Sequence, residues 1–514
     1  MLSRLKAGIE RRFPYREVTS EADLKAGLRV MVEDGLASQA MATLTTGPFL
    51  VAFALSVGAN NVAVGLLAAL PFLTQFFQLP AVLLVETVRR RRAICIVGEA
   101  LSRASLFVMV AAAFVSRSDL AVGLLVGGLF LHTGFGAFAG CSWNSWMRDF
   151  VPGNRLGAFF AKRLLMAGAL SALLSFSGGA LVDVWPRLVT LDTRFAYVVL
   201  IVIGFAFGMV GVVRLNKLPE PSMDPASRAS LTSRLRRPLS DPNFRRLIAF
   251  LGTWNFAVNL AAPFFTVFML TALHLDMITI MTMSVVSLVP NVLLSQLWGR
   301  TIDRFSNKAV LAICGPMFIL AIFTWTFIMF PEKHRYSMHL LVAAHFLMGI
   351  ATAGVTLAAG NIGLKLAPKG EATAYLAVLS LVNALAAGAA PIIGGLCADF
   401  FAQRELALVV EWLSPQASGV VPILIVRHWG FYFVLASLIG LFSLTRLRHV
   451  REEGEASERA VLSELILDAR RSVNNLSTVN GLLALTAFPV VFLRRKRRNL
   501  EDAARAYLIP KVEP

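Results

Sequence analysis

The chain has 514 residues, 56% of them hydrophobic, and a mean hydropathy of +0.67. A soluble domain of this length needs far more polar surface, so the composition excludes an ordinary soluble protein. The net charge of +18 would suggest nucleic-acid binding in a soluble protein. Here the basic residues are unevenly placed along the chain, which favours the positive-inside bias of a membrane protein and no nucleic-acid partner.

Apolar runs long enough to cross a bilayer, about 20 residues each, recur along the chain. They are continuous rather than alternating, which predicts helices and not a barrel. The predicted fold is therefore an all-α integral membrane protein with twelve transmembrane helices in two pseudo-symmetric six-helix bundles. The predicted spans are residues 28–56, 62–85, 93–116, 120–147, 156–182, 196–213, 247–271, 276–298, 309–330, 338–364, 372–399 and 421–445.

The middle of the chain separates two sets of six spans. Its connector carries eight Lys or Arg against three acidic residues and several prolines. If both termini are cytoplasmic, only seven of the 49 basic residues fall in exterior loops, which predicts the cytoplasmic membrane and this orientation. The predicted domains are the basic N-terminus 1–25, the first bundle 26–213, the connector 214–246, the second bundle 247–447 and a cytoplasmic tail 448–514.

The two sets of spans share a sequence pattern at a fixed offset. A proline, a Gly-Gly pair and an aspartate around the fifth span recur 216 positions later around the eleventh. Internal repeats of several helices are typical of secondary transporters, whose substrate site lies where the repeats meet. The matched residues are Pro152, Gly178, Gly179 and Asp183 with Pro368, Gly394, Gly395 and Asp399.

The tail combines an amphipathic segment with a short apolar one. Residues 456–475 place apolar side chains on one helical face, which favours a helix lying on the membrane. Residues 478–493 are apolar and end in RRKRR. They are short for a span, so we predict an interfacial or re-entrant segment, with a thirteenth span as the alternative. The basic cluster would bind anionic lipid headgroups.

A ten-residue motif follows the eighth span. It reads GRTIDRFSNK and contains Gly299, Asp303, Arg304 and Lys308, while VLLVETVRRR after the second span places Glu86 at the aspartate position. With twelve spans in two halves, residues 25–447 resemble the major facilitator superfamily. The resemblance implies that Gly299, Asp303, Arg304 and Glu86 form a cytoplasmic gate between the bundles. The alternative is a plain cytoplasmic turn.

Glycines near the ends of the fifth and eleventh spans are the second resemblance. Antiporters of the superfamily carry a Gly-Pro pair followed by Gly-Gly in the fifth span, whereas Gly178 and Gly179 here lack the proline. The eleventh span has Pro391, Gly394 and Gly395. We favour a helix-packing role for all five residues over an antiport signature.

In the superfamily the first, fourth, seventh and tenth spans line a central cavity, so polar residues within them are candidates for substrate contact. His132 lies about 18 Å along its predicted helix from the outer end, near the middle of the membrane. Packing and helix–helix hydrogen bonds are the alternative roles. The predicted substrate-cavity residues are His132, Trp254, Asn255, Asn259, His345 and Gln75.

Three residues are candidates for proton coupling. Asp34 is preferred because an apolar run follows it, and Glu33 adjoins it at the start of the first span. His132 can exchange a proton near neutral pH. The alternative for Glu33 and Asp34 is a pair of surface charges at a helix end.

The predicted function follows from the fold and from the absence of positively charged side chains in the middle of the spans that line the cavity. They carry no mid-membrane Arg or Lys, which argues against phosphate substrates, and the chain has no Walker A sequence. We predict a monomeric secondary transporter that moves a small neutral or amphipathic organic molecule by alternating access, as proton-coupled efflux. Uptake, facilitated diffusion, lipid movement and a non-transporting receptor or scaffold remain alternatives. The scattered cysteines indicate buried small side chains, and no enzyme activity, metal or cofactor is predicted.

Overall fold

The computed structural model describes residues 20–151, 156–221, 237–329, 334–368, 372–402, 404–414, 417–427 and 429–452, with backbone only for 156–162, 372–373 and 406–427. In this part of the chain twelve helices are long and apolar enough to cross a membrane. They are α1 (Glu21–Ser56), α2 (Asn61–Val88), α3 (Arg91–Phe114), α4 (Ser118–Phe150), α5 (Leu156–Leu188), α6 (Arg194–Leu215), α7 (Pro242–Thr271), α8 (Met277–Arg304), α9 (Asn307–Phe327), α10 (Ser337–Leu366), α11 (Ala372–Phe401) and α12 (Trp429–Leu447).

The helices form two halves, α1–α6 and α7–α12. Since six helices run from the start of α1 to the end of α6, both points lie at one end of the bundle, which we call the connector end. The opposite end is the far end. The halves meet where α2 packs against α11 and where α5 packs against α8.

Helix α1 is broken next to the place where the halves meet. The backbone is extended at Thr46 (φ −129°), and Gly47 has a φ of +60°. Proline disfavours a helical conformation in the residue before it, so Pro48 accounts for the break. The left-handed conformation at position 47 requires glycine, because a side chain there would be strained.

An antiparallel hairpin follows α11. Its strands are β1 (Glu405–Ser414) and β2 (Ala417–Arg427), paired from Glu405↔Arg427 to Ser414↔Ala417 with an irregularity between Leu408 and Val409. The predicted start of the twelfth span at residue 421 is therefore wrong, since α12 begins at Trp429. The run GVVPILIV is apolar enough for a span, but its β-branched residues also favour a strand.

Each half ends with a glutamate that caps its own third helix. Five residues beyond α6, Glu220 accepts the backbone N–H of Arg91 at 2.5 Å. Five residues beyond α12, Glu452 accepts the backbone N–H groups of Asn307 (3.2 Å) and Lys308 (2.8 Å). These first N–H groups of a helix lack partners within it, and the helix dipole favours an anion there. The predicted tail 448–514 thus begins with a structured cap, while residues 453–514, including 456–475 and 478–493, lie outside the described residues.

The two caps differ in their electrostatic balance. Burial raises the pKa of Glu220 above its ordinary value, and the hydrogen bonds from Arg92 and Arg91 offset only part of that effect. Burial also raises the pKa of Glu452, but hydrogen bonds from Lys365, Lys308 and Asn307 together outweigh it, so the pKa lies below its ordinary value.

Candidate functional site

A cavity of about 650 Å³ lies between the two halves. Helices α1, α2 and α4 line it from the first half, and α7, α8 and α10 line it from the second. Leucine, valine, proline, alanine, phenylalanine and methionine side chains form most of its wall. None of the described residues that line it carries a carboxylate, an ammonium or a guanidinium group. The polar groups in the wall belong to Thr46, Thr133, Thr266, Ser284, Ser287, His132 and His345.

His132 of α4 is held to α3 by Ser102. The Ser102 hydroxyl donates to the backbone carbonyl of His132 at 2.8 Å. The imidazole Nδ1 lies 2.8 Å from the carbonyl oxygen of Ser102 and 3.0 Å from its hydroxyl oxygen. The side chain is 9% exposed, and its exposed part lies in the cavity wall.

His345 of α10 occupies a comparable position in the second half. Its Nδ1 lies 2.9 Å from the carbonyl oxygen of Leu341, one turn earlier in the same helix. Ser287 of α8 donates to the backbone carbonyl of His345 at 2.9 Å. The imidazole packs against the Trp325 ring with 5.2 Å between ring centroids.

A second cavity of about 400 Å³ lies within the second half. Trp254 and Asn255 of α7 line it, together with Thr352 and Asn383. Asn259 donates to the backbone carbonyl of Asn255 at 2.8 Å and does not line either cavity. The structure therefore separates the two histidines from Trp254 and Asn255.

Gln75 also lies apart from these cavities. It follows Pro71 in the irregular middle of α2 and donates to the Pro71 carbonyl at 3.0 Å. The side chain is exposed, which does not favour a role in the central site.

Asp34 of α1 is buried in the first half, with 5% of its surface exposed. It accepts a hydrogen bond from Ser38 and lies close to the guanidinium groups of Arg103 and Arg163. Arg103 forms an ion pair with Glu99 one turn away. The neighbouring Glu33 is half-exposed and pairs with Arg214 at 3.4 Å. Asp34 thus belongs to a buried charge network, and Glu33 to the surface.

Two aspartates join the halves at the far end. Asp183 at the end of α5 accepts the backbone N–H groups of Met277 (2.8 Å) and Ile278 (2.7 Å) at the start of α8. Asp399 at the end of α11 accepts from the Asn61 side chain at 2.7 Å, at the start of α2. The far end is closed by equivalent residues of the two repeats.

Comparison with known proteins agrees with this arrangement. The sequence profile of the Major Facilitator Superfamily matches residues 247–498. The nucleoside transporter NupG has a TM-score of 0.59 and 11% identity, over 83% of this chain and 98% of that one. The second half of the chain thus matches the major facilitator superfamily, and the described chain has the fold of these transporters. No curated protein matches it in sequence.

Other solved superfamily structures share the fold at similarly low identity. A bacterial homologue of the iron transporter ferroportin, in an inward-facing state, has a TM-score of 0.56 and 12% identity, over 84% of this chain and 100% of that chain. A POT family transporter in complex with a thioalcohol-conjugated peptide has a TM-score of 0.59 and 11% identity, over 83% of this chain and 97% of that chain. Likeness at this identity establishes the fold alone. Together with the profile match over residues 247–498, the twelve apolar helices support a multi-pass membrane transporter rather than an enzyme.

The two Gly-Gly pairs divide their contacts in the same way. A Cβ atom at Gly178 would meet the Phe49 ring, and one at Gly394 would meet Tyr432, both within the same half. A Cβ at Gly179 would lie 3.0 Å from the Ile278 backbone, and one at Gly395 would lie 2.5 Å from the Asn61 carbonyl oxygen, both in the opposite half. Pro391 also reaches across, since its carbonyl faces Gly65 of α2.

The gate residues of the superfamily motif lie at the connector end. Asp303, Arg304 and Glu86 are exposed. The Arg304 guanidinium lies 5.4 Å from the centroid of the Phe305 ring. A Cβ at Gly299 would meet nothing within 4 Å. The contacts described above that join the halves lie towards the far end.

The sequence pattern did not indicate several residues that the structure places at or near the site. Ser102 and Arg163 are unremarkable in sequence, because their partners lie on other helices. A repeated sequence pattern could have predicted the two capping glutamates. The sixth and twelfth spans are followed by the same spacing of apolar residues and a glutamate, Leu215-x-x-Leu218-x-Glu220 and Leu447-x-x-Val450-x-Glu452. The repeated Asp183 and Asp399 were recognised, but their contact across the halves was not.

Proposed function

We propose that this superfamily member exports a small neutral or amphipathic organic molecule across the cytoplasmic membrane by alternating access, coupled to proton movement. The observation that supports the proposal most directly is the uncharged cavity between the halves, which is closed at the far end. An apolar wall with a few hydroxyl and imidazole groups suits a solute that carries no fixed charge. Similar folds serve nucleoside, peptide and metal transporters, so the fold does not define the substrate class and only the cavity supports the proposed one.

The basic residues support an orientation. The connector carries eight Lys or Arg, and further basic residues follow α8 and lie near both caps, which is typical of the cytoplasmic face. With the connector end in the cytoplasm, closure at the far end corresponds to a state that receives substrate from inside the cell. The basic surface would then contact anionic lipid headgroups. We propose that the transporter acts as a monomer.

Asp34 is our candidate for the proton-coupling residue. It lies in α1 and experiences the positive charges of Arg103 in α3 and Arg163 in α5, so its own charge attracts two other helices of the same half. Arg163 also lies 5.2 Å from the centroid of the Trp143 ring of α4. Protonation of Asp34 would weaken its attraction for both guanidinium groups and change how these helices pack. Glu33 and His132 are the other candidates.

Proton coupling can be tested in proteoliposomes that contain a pH-sensitive dye. Neutral amphipathic compounds are added one at a time under an imposed pH gradient, and substrate-driven proton movement is recorded. We expect Asp34→Asn to abolish proton movement while the compound still binds, and Asp119→Asn, an exposed carboxylate at the far end, to leave it unchanged. Proton movement that survives Asp34→Asn would refute the role of Asp34, and substrate flux with no proton movement in the unmodified chain would refute coupling.

A further inference from the structure

Both cavity histidines hold their Nδ1 atoms against groups that accept hydrogen bonds. A backbone carbonyl has no proton to donate, so the contacts with Ser102 and Leu341 require a proton on each Nδ1. The Ser102 hydroxyl already donates to the His132 carbonyl, so it too accepts from Nδ1. A neutral imidazole protonated at Nδ1 carries a lone pair at Nε2.

The two Nε2 atoms are the ring nitrogens that remain available to accept a hydrogen bond from a ligand. Neither atom has a hydrogen-bond partner among the described residues, although the side chains are 9% and 7% exposed. Neither Nε2 atom is among the enclosed side-chain atoms that lack a hydrogen-bond partner, so both are accessible. Both rings line the same cavity, one from α4 and the other from α10. The cavity therefore presents one unpaired acceptor from each half.

Because both Nε2 atoms face the cavity, water can bind them, and a solute that displaces this water leaves each acceptor without a partner unless it supplies a donor itself. We infer that the transported molecule is an uncharged solute with an apolar body and a hydroxyl or amide N–H donor at each of two ends, one bound to Nε2 of His132 and the other to Nε2 of His345. This rests on the proposed function, because it takes the cavity between the halves as the transport site. A ligand held by both histidines would draw the halves together around itself.

The nitrogen-15 NMR spectrum of the purified full-length chain, labelled at histidine, tests the inference without any transport. His132→Asn and His345→Asn assign the two resonances. We expect both rings to show a protonated Nδ1 and an unprotonated Nε2 before any ligand is added. A proton on either Nε2 would overturn the inference.

The probe pair is bisphenol A and its dimethyl ether, which share an apolar body but differ in their two donors. Bisphenol A should shift both Nε2 resonances, and the ether should shift neither. Asparagine retains a donor near the Nδ1 position but removes the Nε2 acceptor, so each Asn variant should raise the Kd about tenfold. Gln variants, which restore an acceptor, should recover part of the affinity. His339→Gln, on the exposed start of α10, is the matched control and should leave the Kd unchanged.

The outcomes separate this inference from the proposed function. Equal binding of the ether would overturn the inference, and so would bisphenol A binding that is unaffected by both Asn variants. Donor-dependent binding without flux in proteoliposomes would support the site and contradict transport. Flux of neutral compounds with no preference for donors would support transport and contradict the inference.

Discussion

Arg103 is a charged residue in a membrane-spanning helix with only 2% of its side-chain surface exposed. Its guanidinium pairs with Glu99, donates to the Gly208 carbonyl at 3.1 Å and to the Ser38 hydroxyl at 3.2 Å, and lies beside Asp34. An isolated charge in the bilayer is costly, so such a residue persists only with partners. These contacts connect α3 with α1 and α6.

We expect Arg103→Gln to lower the free energy of unfolding by about 3 kcal/mol, because it removes the ion-pair partner of Glu99 and the nearby positive charge that offsets the burial of Asp34. Arg214→Gln is the matched control. Arg214 pairs with Glu33 at a half-exposed site, where such a pair contributes at most about 1 kcal/mol. Denaturant unfolding of the purified variants in detergent measures both changes. Equal changes for the two variants would contradict a structural role for the buried network.

The start of the third helix in each half is capped by a glutamate that lies more than 100 residues later in the chain. Glu452 follows α12, yet it caps α9 through backbone and side-chain bonds to Asn307 and pairs with Lys365 of α10 at 2.8 Å. Three elements of the second half are thereby joined by one carboxylate. Glu220 makes the equivalent connection between the end of α6 and α3.

We expect Glu452→Gln to cost about 2 kcal/mol of stability at neutral pH, because an amide replaces one accepting oxygen with a donor. The lowered pKa of Glu452 sets the pH dependence. Its contribution is fully present above the pKa of unfolded glutamate, about 4.3, and is lost as the pH falls through the lower pKa of the folded state. Thermal unfolding of the variant and the unmodified chain from pH 7 downwards should therefore show a constant difference that closes in acid. A difference that widens in acid would contradict the cap, and Asp119→Asn should show neither effect.

At the scale of the whole molecule, hydropathy predicted the number and positions of the membrane-spanning helices. It predicted little about the contacts between the two halves. Eleven spans were placed because each must supply about 20 apolar residues. The twelfth began too early because an apolar hairpin and an apolar helix have similar composition. His132 and His345 stood out as ionisable side chains deep within apolar spans. Asp183 stood out as a repeated residue, but its contacts did not, since its partners lie 94 and 95 positions away and only packing of the halves brings them together.

Alternating access requires that closure at the far end be reversible. Asp183 contributes two hydrogen bonds from a carboxylate to the first N–H groups of α8, an arrangement that the helix dipole also favours. We expect Asp183→Asn to weaken this closure and shift the population towards a state open at the far end by about tenfold. Spin labels on Asp119→Cys and His339→Cys, at the far ends of α4 and α10 with the native cysteines replaced by serine, would report the change as a longer distance population. Asp192→Asn, an exposed carboxylate at the same end that contacts its own half, should leave the distances unchanged. Distances that are identical in Asp183→Asn and the unmodified protein would mean that this aspartate does not hold the halves together.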